Sequence, residues 1–407
     1  MRRSPLCIIS ALLIASCTGD GGLPSENARL PAGLLSMDTL PNGAVHVVSS
    51  SEGAWAHSGT EPWRLEEDLR IGVLEGDENY MFGSLRSVIP TADGRIWALD
   101  SQVSHLRLYD QDGTFLRAVG RAGQGPGEFG FNPCAFPGPD GEIWVEAGGR
   151  WQWFDTEGEL LGQQQVTRNV GCGIQGWMAN DRLAAVHVET NPATREREGF
   201  FLIHDREPSG RVMVRDTAHV PTLPEATTVT WFDGEGRARI TLQMPLVHRA
   251  SYVLDSKGDF WISEGGGHYR IRRQTLFGDT LVIMERPYEP IPVPDSVRDE
   301  AMPERRRGNM TLDRRFNPSD VPRVFPPFDR LLVGTDGTLW VRRQLEGGVY
   351  GLDVFAPDGG FLGLVEAPPE FGRMSIQHVT RDHMYGTVRD EMDVHYVVRL
   401  AILKPEG

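Results

Sequence analysis

Asp93-Gly94-Arg95-Ile96-Trp97, Asp140-Gly141-Glu142-Ile143-Trp144 and Asp336-Gly337-Thr338-Leu339-Trp340 are copies of one phrase: a tight turn, then a hydrophobic residue and an aromatic. Lys257-Gly258-Asp259-Phe260-Trp261 is a near copy. Asn180-Asp181-Arg182-Leu183-Ala184 and Arg381-Asp382-His383-Met384-Tyr385 are weaker ones. A turn-and-strand unit repeated six times cannot bury its faces alone, so the copies must stack against one another. With 47 Gly, 28 Pro and 40% hydrophobic residues in 407, the chain reads as turn-dense and all-β.

A second phrase follows the first. Leu108-Tyr109-Asp110-Gln111-Asp112-Gly113-Thr114-Phe115-Leu116 joins two strands through a turn in which Gly supplies a positive φ. Trp153 to Leu161 and Val354 to Leu362 repeat it. Each unit is therefore four strands, with the aromatic strand second. The aromatic strands fall at 97, 144, about 184, 261, 340 and 385. Intervals of about 40 to 47 residues are a propeller-blade period. The two longer intervals are read as insertions, at about 217–247 and 287–328, which gives six blades. The first contains an additional hairpin, Thr227–Thr230 with Arg237–Leu242. In the second, Asp295 to Arg307 alternates acids and arginines as a short helix interrupted by Pro303. It is either a solvated excursion or a lid, since long loops in compact domains are often functional. The last repeat offers only three strands, Ser375–Val379, Met384–Val388 and His395–Leu403. The early strand around Leu69-Arg70-Ile71-Gly72 has no blade of its own, so it is expected to complete the last blade and remove a sheet edge.

The loop Gly123-Gln124-Gly125-Pro126-Gly127-Glu128-Phe129, the Asp-Gly-x-Ile-Trp strand and the Tyr-Asp-x-Asp-Gly-x-Phe-Leu turn together resemble six-bladed β-propellers of the NHL type, the bacterial lipoprotein kind in particular. The match is strong over about 65–170 and moderate over 330–403. The middle lacks a second Gly-Pro-Gly-Glu-Phe loop. The resemblance implies a binding platform, with lyases and lactonase-like hydrolases among relatives.

Residues 1–17 read as a lipoprotein signal. Arg2 and Arg3 precede the apolar run Leu6 to Ala15, and Ser16-Cys17 ends it, making Cys17 the lipidation site. The alternative is an ordinary signal peptide cleaved near Ser16. Residues 18–41, rich in Gly, Pro and small polar side chains, read as a flexible tether, with the propeller over 42–407. The localisation expected is extracytoplasmic, anchored in a bacterial membrane (periplasm or outer membrane) through lipid only.

Net charge is −15, and −17 once Arg2 and Arg3 are gone, which argues against nucleic acid and anionic membrane surfaces as partners. Two cysteines remain, Cys134 and Cys172, each just ahead of a repeated turn; they are either a disulfide between adjacent repeats or two buried thiols.

No phosphate loop, HExxH, CxxC or GxSxG occurs. Asp110-Gln111-Asp112-Gly113 resembles the start of a calcium loop but lacks the later ligands, so it reads as a hairpin turn. The Trp residues of the second strands, Trp97, Trp144, Trp261 and Trp340, are expected between sheets. A propeller's usual site is the mouth of its channel, at the start of each innermost strand. Those positions hold Arg86, Asn132, Gln175, His248, Arg249, Asp329, Arg330, Gln377 and His378. The arginines suit a carboxylate, sulfate or phosphate. These are either a binding site or ordinary solvated rim residues. Two functions compete. One is a binding scaffold for a protein or small anionic ligand, without cofactor. The other is a channel-mouth lyase or lactonase-like hydrolase using His248 or His378 with Asp329 and Ca or Zn.

Overall fold

The computed structural model describes residues 34–166, 172–178, 180–190, 197–221, 223, 227–248 and 250–405. The fold is all-β and is built almost wholly from antiparallel four-stranded sheets. Sheet I comprises Leu85–Pro90, Ile96–Asp100, His105–Tyr109 and Phe115–Val119. Sheet II comprises Cys134–Pro137, Ile143–Ala147, Arg150–Phe154 and Leu160–Gln165. Sheet III comprises Ile174–Met178, Arg182–Thr190, Arg197–Arg206 and Val212–His219. Sheet IV is built on Ser251–Leu254, Asp259–Ser263, Arg270–Thr275 and Thr280–Glu285. Sheet V comprises Arg330–Val333, Leu339–Gln344, Tyr350–Phe355 and Phe361–Glu366. Sheet VI takes Ser375–Val379, His383–Arg389 and His395–Leu403 from the end of the chain and Arg64–Ile71 from its beginning. That last pairing is antiparallel, from Arg64 opposite Leu403 to Ile71 opposite Val397. The first strands of sheets I to VI touch in succession, and the first strand of sheet VI touches that of sheet I.

The turns explain why these strands form. Gly94 and Gly113 sit at φ +86° and +83°, the left-handed region that a side chain disfavours. The acid three residues before the turn glycine also matters. Asp110 Oδ1 accepts from the amides of Asp112 (3.0 Å) and Thr114 (2.7 Å). Asp155, Asp233 and Asp255 make the same pair of bonds to the amides two and four residues on. Asp110 thus spends its carboxylate on the hairpin, as the turn reading requires.

The aromatic strand lies second in each sheet. Trp97, Trp144, Trp261 and Trp340 are buried against residues of neighbouring sheets. Trp144 stacks on Trp153 at 4.7 Å, and burial of such rings is worth roughly 3–5 kcal/mol each by the cost of truncation. Phe129, from the Gly-rich loop, is fully buried edge-on to Phe154 at 5.9 Å, as a wedge between sheets.

Two sequence readings need correction. The tether does not reach residue 41: Leu35–Thr39 is a strand, hairpinned to Val45–Ser49. Asn42-Gly43 makes the turn, with Gly43 at φ +84°, and the pair lies against Thr280–Glu285 with Val45–Ser49 parallel to it, widening sheet IV to six strands. The two insertions are not separate excursions. Thr228–Phe232 and Ala238–Gln243 from the first join Arg306–Arg307 and Met310–Leu312 from the second in one sheet. Trp231 and Leu312 share its small core, and the helix Asp295–Glu300 ends before Pro303. Neither insertion holds enough apolar surface alone, and together they do. Among the described residues no helix is long and apolar enough to cross a membrane. The signal segment and Cys17 lie outside the described residues.

Candidate functional site

The first strands of sheets I, III and VI each carry a bulge, and the unpaired residue is Arg86, Gln175 and Gln377 respectively. A bulge frees one side chain from the alternation and re-aims it. Gln377 turns to sheet I, where its Oε1 accepts from the Val88 amide (2.9 Å) and its Nε2 donates to the Arg86 carbonyl (3.1 Å). Arg86 turns to sheet II, its Nη1 donating to Asn132 Oδ1 at 2.6 Å. The same nitrogen lies 3.2 Å from Cys172 Sγ and 3.7 Å from Cys134 Sγ. Those two sulfurs are paired, with Cα atoms 5.6 Å apart, and link sheet II to the loop entering sheet III. Gln175 bonds only weakly to the Gly173 carbonyl, at 3.4 Å. Arg86, Asn132 and Gln377 therefore meet, but as stitches between adjacent first strands. Beside them Phe131 is 87% exposed, an aromatic that the sequence reading did not single out, having no pattern to mark it.

The other half of the ring is arranged differently. His248 is buried edge-on to Phe328 at 4.8 Å, with Nε2 3.0 Å from Ser263 Oγ. Burial lowers its pKa. Asp329 accepts from Arg342 through both oxygens, at 2.8 Å each. Among the described residues no three His, Cys, Asp or Glu side chains gather as a metal-binding group. Arg249 lies outside the described residues.

Arg330 and His378 stand apart from these pairs. Arg330 lies opposite Arg342, whose charge Asp329 already matches, and no hydrogen bond or ion pair engages the Arg330 side chain among the described residues. Burial and the neighbouring Arg342 lower its pKa, against the opposing pull of the Asp329 carboxylate. His378, half-buried on the first strand of sheet VI, is pushed down to about 4 by desolvation alone. Arg330 thus lacks a hydrogen-bond or ion-pair partner among the described residues, and His378 lies on the first strand of the adjacent sheet.

A family model described as a 6-bladed beta-propeller matches residues 70–132, which span sheet I and the Gly-rich loop. Curated proteins contain no match to the chain. Among solved structures, a Bacteroides fragilis protein described as exported is similar at 12% identity and TM-score 0.45, over 88% of this chain and 100% of its own. A member of the DUF4221 family from Bacteroides vulgatus is similar at 10% identity and TM-score 0.42, over 84% and 99%. Virginiamycin B lyase from Staphylococcus aureus is similar at 12% identity and TM-score 0.38, over 84% and 100%.

Proposed function

We propose that the chain is a six-bladed propeller of the NHL kind, closed by Arg64–Ile71, lipid-anchored outside the cytoplasm through Cys17, and serving as a binding scaffold for a protein or a small anionic ligand. The observation that supports the ligand reading is Arg330 on the first strand of sheet V, a part-buried guanidinium whose side chain no hydrogen bond or ion pair engages among the described residues. A guanidinium held away from water and next to a second cation gains more from an arriving anion than a solvated surface arginine does. Its fork suits a carboxylate or sulfate, and a charged hydrogen bond of this type contributes about 1.5–3 kcal/mol. The successive contact of the six first strands supports the closed ring that would hold these groups rigid.

Thermal-shift titration with sulfate and acetate tests this reading. The parent chain is expected to gain stability with either anion, and Arg330→Gln to lose at least tenfold in apparent affinity. Equal responses in parent and variant would refute the site. Stoichiometric Ca or Zn in the purified protein would instead favour the metal-dependent lyase or lactonase-like hydrolase.

A further inference from the structure

A cleft of about 950 Å³ lies far along the sheets from the first strands, between the outer strand of sheet V and the segment 51–66 that runs across it. Its floor holds two arginines that share one carboxylate. Arg343 Nε is 3.1 Å and Arg286 Nη1 3.0 Å from Asp353 Oδ2, and the Tyr269 hydroxyl donates to the same oxygen at 2.8 Å. Asp353 is fully buried and the Arg286 side chain is 7% exposed. No other acid pairs with either arginine among the described residues. Two cations against one anion leave a net positive charge at a poorly hydrated floor. Nε of Arg286 lacks a hydrogen-bond partner, Nη1 meets only the shared Asp353 carboxylate, and Nη2 reaches the Ser51 carbonyl at 3.4 Å, while the guanidinium lies 3.7 Å over the Phe361 ring. A buried polar group left short of partners in this way points to something absent that completes it.

The walls are apolar. Trp55 and Trp63 lie 5.0 Å apart, and Phe361, Leu364 and Ala367 also line the cleft. The rim carries Glu52, Glu61, Glu66 and Glu366 against the single cation Arg64, all exposed, and is acidic on balance. A volume of this size accommodates a drug-sized molecule. One net positive charge on the floor matches one negative charge, and the four rim carboxylates oppose a second.

We propose that this cleft binds a monocarboxylate with an apolar body, its carboxylate on Arg286 and Arg343 and its body between Trp55, Trp63 and Phe361. The site is independent of the one at the first strands.

Isothermal titration of the full chain with decanoate, decyl phosphate and decanol tests it. Decanoate is expected to bind at least tenfold more tightly than either of the others, because decanol lacks the charge and decyl phosphate carries too much. Arg343→Gln should remove that preference while leaving decanol binding unchanged. Equal affinity for the three probes, preference for the phosphate, or no decanoate binding overturns the proposal. The three-probe comparison on the unaltered chain decides the matter even if Arg343→Gln does not fold.

Discussion

His378 carries the clearest pH signature at the scale of single residues. An unfolded chain takes up its proton near 6.5, whereas the folded one does so only near 4. Between these values the unfolded state holds more protons, so this contribution is full above pH 6.5 and is lost as pH falls toward 4. At 1.36 kcal/mol per unit the full loss is about 3–4 kcal/mol, an upper bound for a half-buried group. His204 and His248 are shifted the same way by burial, so the parent's slope is shared. Urea midpoints at pH 7.5 and 5.0 should therefore fall less in His378→Gln than in the parent. Parallel loss in both would assign the effect to the other histidines. None of this was readable beforehand. His378 stood out only by its position on an inner strand, and whether an imidazole there is solvated depends on how closely the neighbouring sheets approach.

At the scale of elements, the segment 34–71 does more than its pattern announced. Its hairpin widens sheet IV, Gly53 passes close against the Leu362 carbonyl of sheet V, Trp55 covers Gly363, and Arg64–Ile71 completes sheet VI. Only the last of these was expected from sequence, because the three-strand final repeat left a vacancy for one strand. The hairpin escaped because Leu35–Thr39 follows a stretch of Gly and Pro and is largely exposed, so burial leaves little alternation to detect. Deleting residues 34–71 would bare the His395–Leu403 edge and remove Trp55, Leu65 and Ile71, each contributing roughly 1.5–3 kcal/mol by burial. A cooperative melt lost or lowered by more than about 10 °C is expected by calorimetry. An unchanged melt would mean that sheet VI stands on three strands.

At the scale of the whole molecule, residue type announces the sheets far better than it announces the sites. The turn phrase specified strand order within each sheet, since Gly and Asp at fixed offsets allow few alternatives. The candidate sites were hardly visible. Arg86, Gln175 and Gln377 act through bulges, which depend on backbone register and not on residue type. The cleft floor joins Arg286, Arg343 and Asp353, which no spacing connects. Cys134 and Cys172 lie 38 residues apart and were open to either reading; their paired placement favours the disulfide. Intact mass of the mature chain under non-reducing denaturation measures this together with the anchor. The expected result is acyl mass on Cys17 and no thiol available to alkylation until reductant is added. An unmodified N-terminus or two free thiols would refute the respective expectation.

Because Arg64 pairs with Leu403, sheet VI cannot form until nearly the entire polypeptide is present. Bringing partners more than 300 residues apart together is slow, since loop-closure entropy precedes any reward from the contact. During that interval two long strands present bare edges, the condition under which chains aggregate. Folding speed is therefore set by the meeting of Arg64–Ile71 with His395–Leu403, however well the sheets between them are built.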